Sequence, residues 1–112
     1  MGYLYYGTSE SPIVVPDRLL AHVKVVVATK LRRGESFTVS WRHPENSPRG
    51  RSTLWVHPSI PLRFVFDTAD PEMLDRDYLQ KLAMSASSTG GMALDMDALP
   101  QRSEAGELVD VV

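Results

Sequence analysis

The chain of 112 residues contains no cysteine. Disulfides, thiolate zinc sites and thiol nucleophiles are thereby excluded, and the composition suits a reducing compartment. No apolar run approaches the roughly 20 residues that span a bilayer. The opening "MGYLYYGTS" has neither the basic start nor the long apolar segment of a secretion signal, so a cytoplasmic protein without membrane contact is expected. Tyr6 stands where a myristoylation signal wants Ser or Thr. His22, His43 and His57 share no i, i+3 or i, i+4 spacing, and the acids Asp67, Asp70, Glu72, Asp75 and Asp77 lack the spacing of a calcium loop. Ser59 beside His57 forms no nucleophile elbow. No metal or other cofactor is expected, and the balance leans away from an enzyme.

What is present suffices for one domain. At 43% hydrophobic and 23% charged, the chain can build a single core without staples. The net charge of −2 hides a division. Residues 1–66 carry nine Lys and Arg against four acids, and residues 67–112 carry three against ten. Such a split fits a basic binding face with an acidic tail, or opposite charges that meet across the fold.

Hydrophobic periodicity places two short strands in 2–7 and 12–15, then a helix over 17–33 with Asp17 as its N-cap. Its apolar side is Leu19, Leu20, Val23, Val26, Val27 and Leu31, although the β-branched run "VKVVVAT" competes for strand. "ESFTVSW" alternates as a half-buried strand and residues 42–51 form a loop. "STLWVHPSIPLRFVF" is strand-like at both ends, with Pro58 and Pro61 imposing an edge, a bend or a crossing between them. A second helix within 67–91 is capped by Asp70 or Asp75, and "MALDM" is a last strand. The expected class is α+β, in the order ββ-α-ββ-α-β. One antiparallel or mixed sheet carries two helices on one face. Residues 1–97 make the domain and 98–112 a flexible acidic tail.

The stretch "ATKLRRGESFTVSW" invites a chemical reading. A lysine used for nucleotidyl transfer needs activation and nearby carboxylates, and the ligase signature is Lys-x-Asp-Gly. From Lys30 the chain reads Lys-Leu-Arg-Arg, so the aspartate is missing. Cations followed by Gly34 are also what ends a helix, because they oppose the negative end of its dipole. A second basic cluster, Arg42, His43, Arg49 and Arg51, follows the next strand, with Trp41 and Trp55 at its margins. Together Lys30, Arg32, Arg33, Arg42, Arg49 and Arg51 form a candidate surface for nucleic acid, with the indoles as stacking platform. The alternative places both tryptophans in the core, and Trp41 shares parity with Phe37 and Val39. A competing partner is another protein or a second copy, met through a sheet edge or the segment "HPSIPLRF".

Four strings, "MGYLYYG", "DRLLAHVKVVVATKLRRGESF", "WVHPSIPLRFVF" and "SASSTGG", resemble a family of small actinobacterial proteins of similar length. The resemblance covers about residues 1–96. Members are often carried under the label ATP-dependent DNA ligase, which implies a DNA-related role. The family has no established activity, so the resemblance assigns no functional residue. The chain is also too short for an adenylation domain.

Overall fold

Residues 1–44, 48–99 and 108–110 are described by a computed structural model, the last three as backbone alone. The elements are β1 (Gly2–Tyr6), β2 (Ile13–Val15), α1 (Asp17–Arg32), β3 (Phe37–Arg42), β4 (Arg51–Val56), β5 (Leu62–Val65), β6 (Met73–Asp75), α2 (Arg76–Ala86), β7 (Met92–Leu94) and β8 (Leu108–Asp110).

Tertiary burial overrides the strand preference of the valine run. Leu19, Leu20, Val23, Val26 and Val27 of α1 are buried at the centre of the main core, with Leu4, Val15, Phe37, Val39, Val56, Leu82 and Met92. Burying each such side chain contributes roughly 1.5–3 kcal/mol, far above the propensity cost of a β-branched residue in a helix. Asp17 does not cap the helix as expected. Pro16 occupies the cap position without a side-chain bond, and Asp17 is the first helical residue. Its carboxylate instead accepts the Asp67 backbone N–H at 3.0 Å and lies 3.9 Å from the terminal ammonium. The other end of α1 is a Schellman turn. The Gly34 N–H donates to Leu31 O at 3.0 Å and the Glu35 N–H to Lys30 O at 3.1 Å, with Gly34 at φ 74°.

The α+β class holds, but the strands do not share one sheet. One sheet has the order β2-β1-β5 and another the order β4-β3-β7, while β6 and β8 pair separately. The division follows from Pro58 and Pro61. Neither can donate to a ladder, and a turn closed by the Ile60 N–H to His57 O bond at 2.9 Å carries the chain from one sheet to the other. β4 therefore pairs antiparallel with β3, whereas β5 pairs with β1. β7 joins β3 in parallel.

Of the two candidate caps for α2, Asp75 is used. Its Oδ1 accepts the Tyr78 N–H at 3.0 Å, so the helix begins after it. Replacing Asp75 with alanine should cost about 1 kcal/mol in urea denaturation. Residues 73–75, which the Asp70 alternative would have put inside the helix, run extended as β6 against β8. The rest of the expected acidic tail, 100–107 and 111–112, lies outside the described residues. Among the described residues, no helix is long and apolar enough to cross a membrane.

Candidate functional site

Alternation along β3 and β4 builds the most distinctive surface. Phe37, Val39 and Trp41 turn toward the core, while Thr38, Ser40 and Arg42 face outward. Register then fixes their neighbours: Trp55 opposite Thr38, Thr53 opposite Ser40, Arg51 opposite Arg42. On the other flank Ala93 lies beside Ser40 and is exposed, with Met92 and Leu94 buried behind it. One outward face thus carries Trp55 at one end and two arginines at the other. Trp55 lies four residue steps along the strand from Arg51, roughly 13 Å.

The floor between them is made of small side chains. Ser40 Oγ and Thr53 Oγ1 are hydrogen-bonded at 2.8 Å. At the Trp55 end Gly91 sits so close to Thr38 that no side chain fits there. Trp55 is 52% exposed, and its backbone carbonyl accepts the Tyr6 hydroxyl, which ties the first sheet to this one. The two tryptophans therefore divide between the two readings of the sequence: Trp41 packs against the core and Trp55 stands outside it. The parity of Leu54 and Val56 against Trp55 was the signal that separates them.

The hairpin end is shaped by His43. Its Nδ1 lies 3.1 Å from the Pro48 carbonyl and therefore donates, and its Nε2 is 2.7 Å from Ser52 Oγ. Its backbone N–H donates to Gly50 O at 2.9 Å. Around it Arg42, Pro44, Arg49, Gly50 and Arg51 line an open concavity of about 640 Å³. Arg42 and Arg51 are direct cross-strand partners, an arrangement of like charges that costs up to about 1 kcal/mol. No carboxylate among the described residues forms an ion pair with Arg42, Arg49 or Arg51.

The basic stretch at the end of α1 does not join that concavity. β3 begins beside it and ends at Arg42, so roughly 16 Å of strand separates the two clusters. The Lys30 ammonium lies 3.2 Å from Glu35 Oε1 and 2.6 Å from Ser87 Oγ. The C-terminal ends of α1 and α2 converge there, and Lys30 offsets the negative ends of both dipoles. Arg32 and Arg33 are exposed. Lys30, Glu35 and Ser87 line a hollow that reaches Trp55, which places this cluster at the tryptophan end of the outward face.

A second concentration of polar groups is internal. Asp17, Arg18 and His22 are buried on the first turns of α1. His22 Nδ1 donates to the Arg18 carbonyl at 2.7 Å, and its Nε2 accepts the Asp75 backbone N–H at 2.8 Å. Burial pushes the imidazole below its ordinary value and pushes the Glu72 carboxyl above its own. No group of three or more metal-ligating side chains occurs among the described residues.

The sequence matches the family model described as Domain of unknown function (DUF7882) over residues 1–97, and the chain belongs to that family. No curated protein matches it, and no solved structure does.

Proposed function

We propose that this member of the DUF7882 family binds single-stranded nucleic acid on the outward face of the β4-β3-β7 sheet. Trp55 stacks a base, and Arg42, Arg49 and Arg51 contact phosphates. The observation that carries the reading is the cross-strand pair of Arg42 and Arg51, without an acid partner among the described residues, on the same face as an exposed indole. A polyanion would relieve the repulsion between the two guanidinium groups. A sheet that exposes one indole over small residues selects bases that are already unstacked, which favours a single strand over a duplex. Lys30 stays engaged with Glu35 and Ser87, and Arg33 lines a separate hollow between α1 and α2.

Fluorescence anisotropy of labelled single- and double-stranded oligonucleotides, titrated at two salt concentrations, tests this. Three phosphate contacts predict a log–log salt slope of about −2. Trp55→Ala should weaken binding by about 5- to 150-fold, the worth of one stacked base. Reversing Arg42 and Arg51 to glutamate should abolish it. No binding at low salt would overturn the assignment.

A second reading is an interaction module without nucleic-acid binding. It is favoured by the outer face of the first sheet, where Val14 is 49% exposed and the Arg63 guanidinium covers Tyr5 at 4.2 Å. Of the segment "HPSIPLRF", Arg63 belongs to that face, while Leu62 and Phe64 pack against the core. The ligase label gains nothing from Lys30, whose ammonium is engaged by Glu35 and Ser87.

A further inference from the structure

We infer that β4 is a self-pairing edge, through which two copies of this chain join their β4-β3-β7 sheets into one. β4 lies at the end of its sheet, with no strand beyond it among the described residues. Hydrogen-bonded pairs alternate along an antiparallel ladder. The bond from the His43 N–H to Gly50 O makes that pair a bonded one, so Ser52, Leu54 and Val56 also direct their backbone groups at β3. Arg51, Thr53 and Trp55 therefore direct theirs at the open edge.

Edges in monomeric proteins are commonly guarded by proline, charged side chains (lysine above all), a bulge or brevity. Of these β4 has one charge, Arg51 at its first position. Its six residues contain no proline or lysine, and its register against β3 runs unbroken. The other edges are shorter: β2 and β7 have three residues each, β2 lies between Pro12 and Pro16, and β5 has four residues and follows Pro61. At the far end of β4 the Tyr6 hydroxyl occupies the Trp55 carbonyl. That contact leaves Arg51 to Leu54 open and selects the register.

The fitting arrangement is antiparallel, with its two-fold axis at Ser52. Arg51 of each copy then exchanges both backbone bonds with Thr53 of the other, four bonds in all, and no demand falls on Trp55. On the inner face Leu54 meets Gly50 of the second copy, where the absence of a side chain leaves room. On the outer face Arg49 of the second copy comes toward Trp55, within the reach of a cation–π contact. The occupant is a second copy because this register is self-complementary. The pairing uses backbone groups and does not depend on the nucleic-acid reading. If that reading also holds, the dimer doubles the number of arginines and indoles on one continuous face.

The absence of cysteine makes the register directly measurable. Ser52 of the two copies forms a non-bonded pair across the axis, with Cα atoms about 4.5 Å apart, within the range a disulfide spans. Oxidised Ser52→Cys should give a covalent dimer in high yield, and Ser9→Cys, on an exposed loop, should not. Adding Thr53→Pro should abolish the cross-link, because proline removes an edge donor while leaving the β3 ladder intact. By sedimentation equilibrium the unmodified protein should dimerise more strongly as salt rises from low to moderate, since salt screens the opposed arginines. Nucleic-acid binding would show the opposite dependence. A strict monomer at high concentration and moderate salt, or equal cross-linking of Ser52→Cys and Ser9→Cys, would overturn the inference.

Discussion

Gly91→Ala is expected to unfold the domain, whereas Gly90→Ala next to it should leave stability nearly unchanged. A Cβ on Gly91 would lie 1.9 Å from Thr38 Oγ1 and 2.7 Å from the Thr38 carbonyl. The hydroxyl can rotate away, but the carbonyl belongs to the central strand and cannot. Gly91 also has φ 76°, which an L side chain adopts only under strain. The close approach exists because the turn after α2 must bring Met92 into parallel register with Val39. Met92 is fully buried, so moving the turn would empty part of the core. Steric overlap, strain and a lost core side chain together predict a loss of about 4 kcal/mol or more, at the extreme of single substitutions. Around Gly90 a Cβ meets no atom within 4 Å. Urea denaturation followed by circular dichroism separates the two variants. A Gly91→Ala protein as stable as its parent would contradict the parallel β3–β7 pairing.

Stability is also expected to fall as pH drops below about 6.5, and His22 is the cause. Its ring is fully buried and edge-on to Tyr78, with ring centroids 5.6 Å apart. Nδ1–H is committed to a carbonyl and Nε2 to an N–H, so a second proton has no acceptor and would confront the Asp75 donor. Desolvation is the largest influence and lowers the folded-state value. The unfolded chain, at about 6.5, then binds the proton that the native state refuses. The contribution of His22 is whole above that value and is lost as pH falls, by up to about 1.4 kcal/mol per pH unit, until the folded-state value is passed. Arg18 opposes protonation by charge, while Asp75 and the hydrogen bond to the Arg18 carbonyl favour it. Glu72 runs the other way. Its raised carboxyl lets the native state hold an extra proton above about 4.5, so it offsets part of the loss at the acid end. Thermal melts at pH 7.5, 6.5 and 5.5 should show a decline that flattens in His22→Gln, whatever that variant costs at neutral pH. An unchanged slope would move the titration to another group.

Much of the fold could be read along the chain because local periodicity and turn chemistry agreed with the final packing. The apolar stripe of α1, the Schellman turn at Gly34, the alternation of β3 and the prolines between β4 and β5 are each local properties. The cap of α2 is similar: the sequence narrowed it to Asp70 or Asp75, and geometry chose the second. Asp17 misled for a related reason. A carboxylate beside a helix start ordinarily caps it, but here it accepts the part-buried backbone N–H of Asp67, 50 residues away. Nothing local announces such a partner.

The candidate surface shows the same boundary. Composition determined that arginines and indoles were available, with Glu35 and Glu45 interspersed among them, and parity favoured an inward Trp41. Cross-strand register alone places Arg51 beside Arg42 and separates both from Lys30, because register depends on where a hairpin closes. The convergence of two helix ends on Lys30 is likewise a tertiary fact, and it assigns that lysine an electrostatic duty at home. Local pattern specified most of the elements, β6 and β8 excepted, and the residues each could offer. The tertiary structure decided which of them share a face, since strands distant in sequence choose their neighbours by burying apolar sides together, and the outward side chains follow.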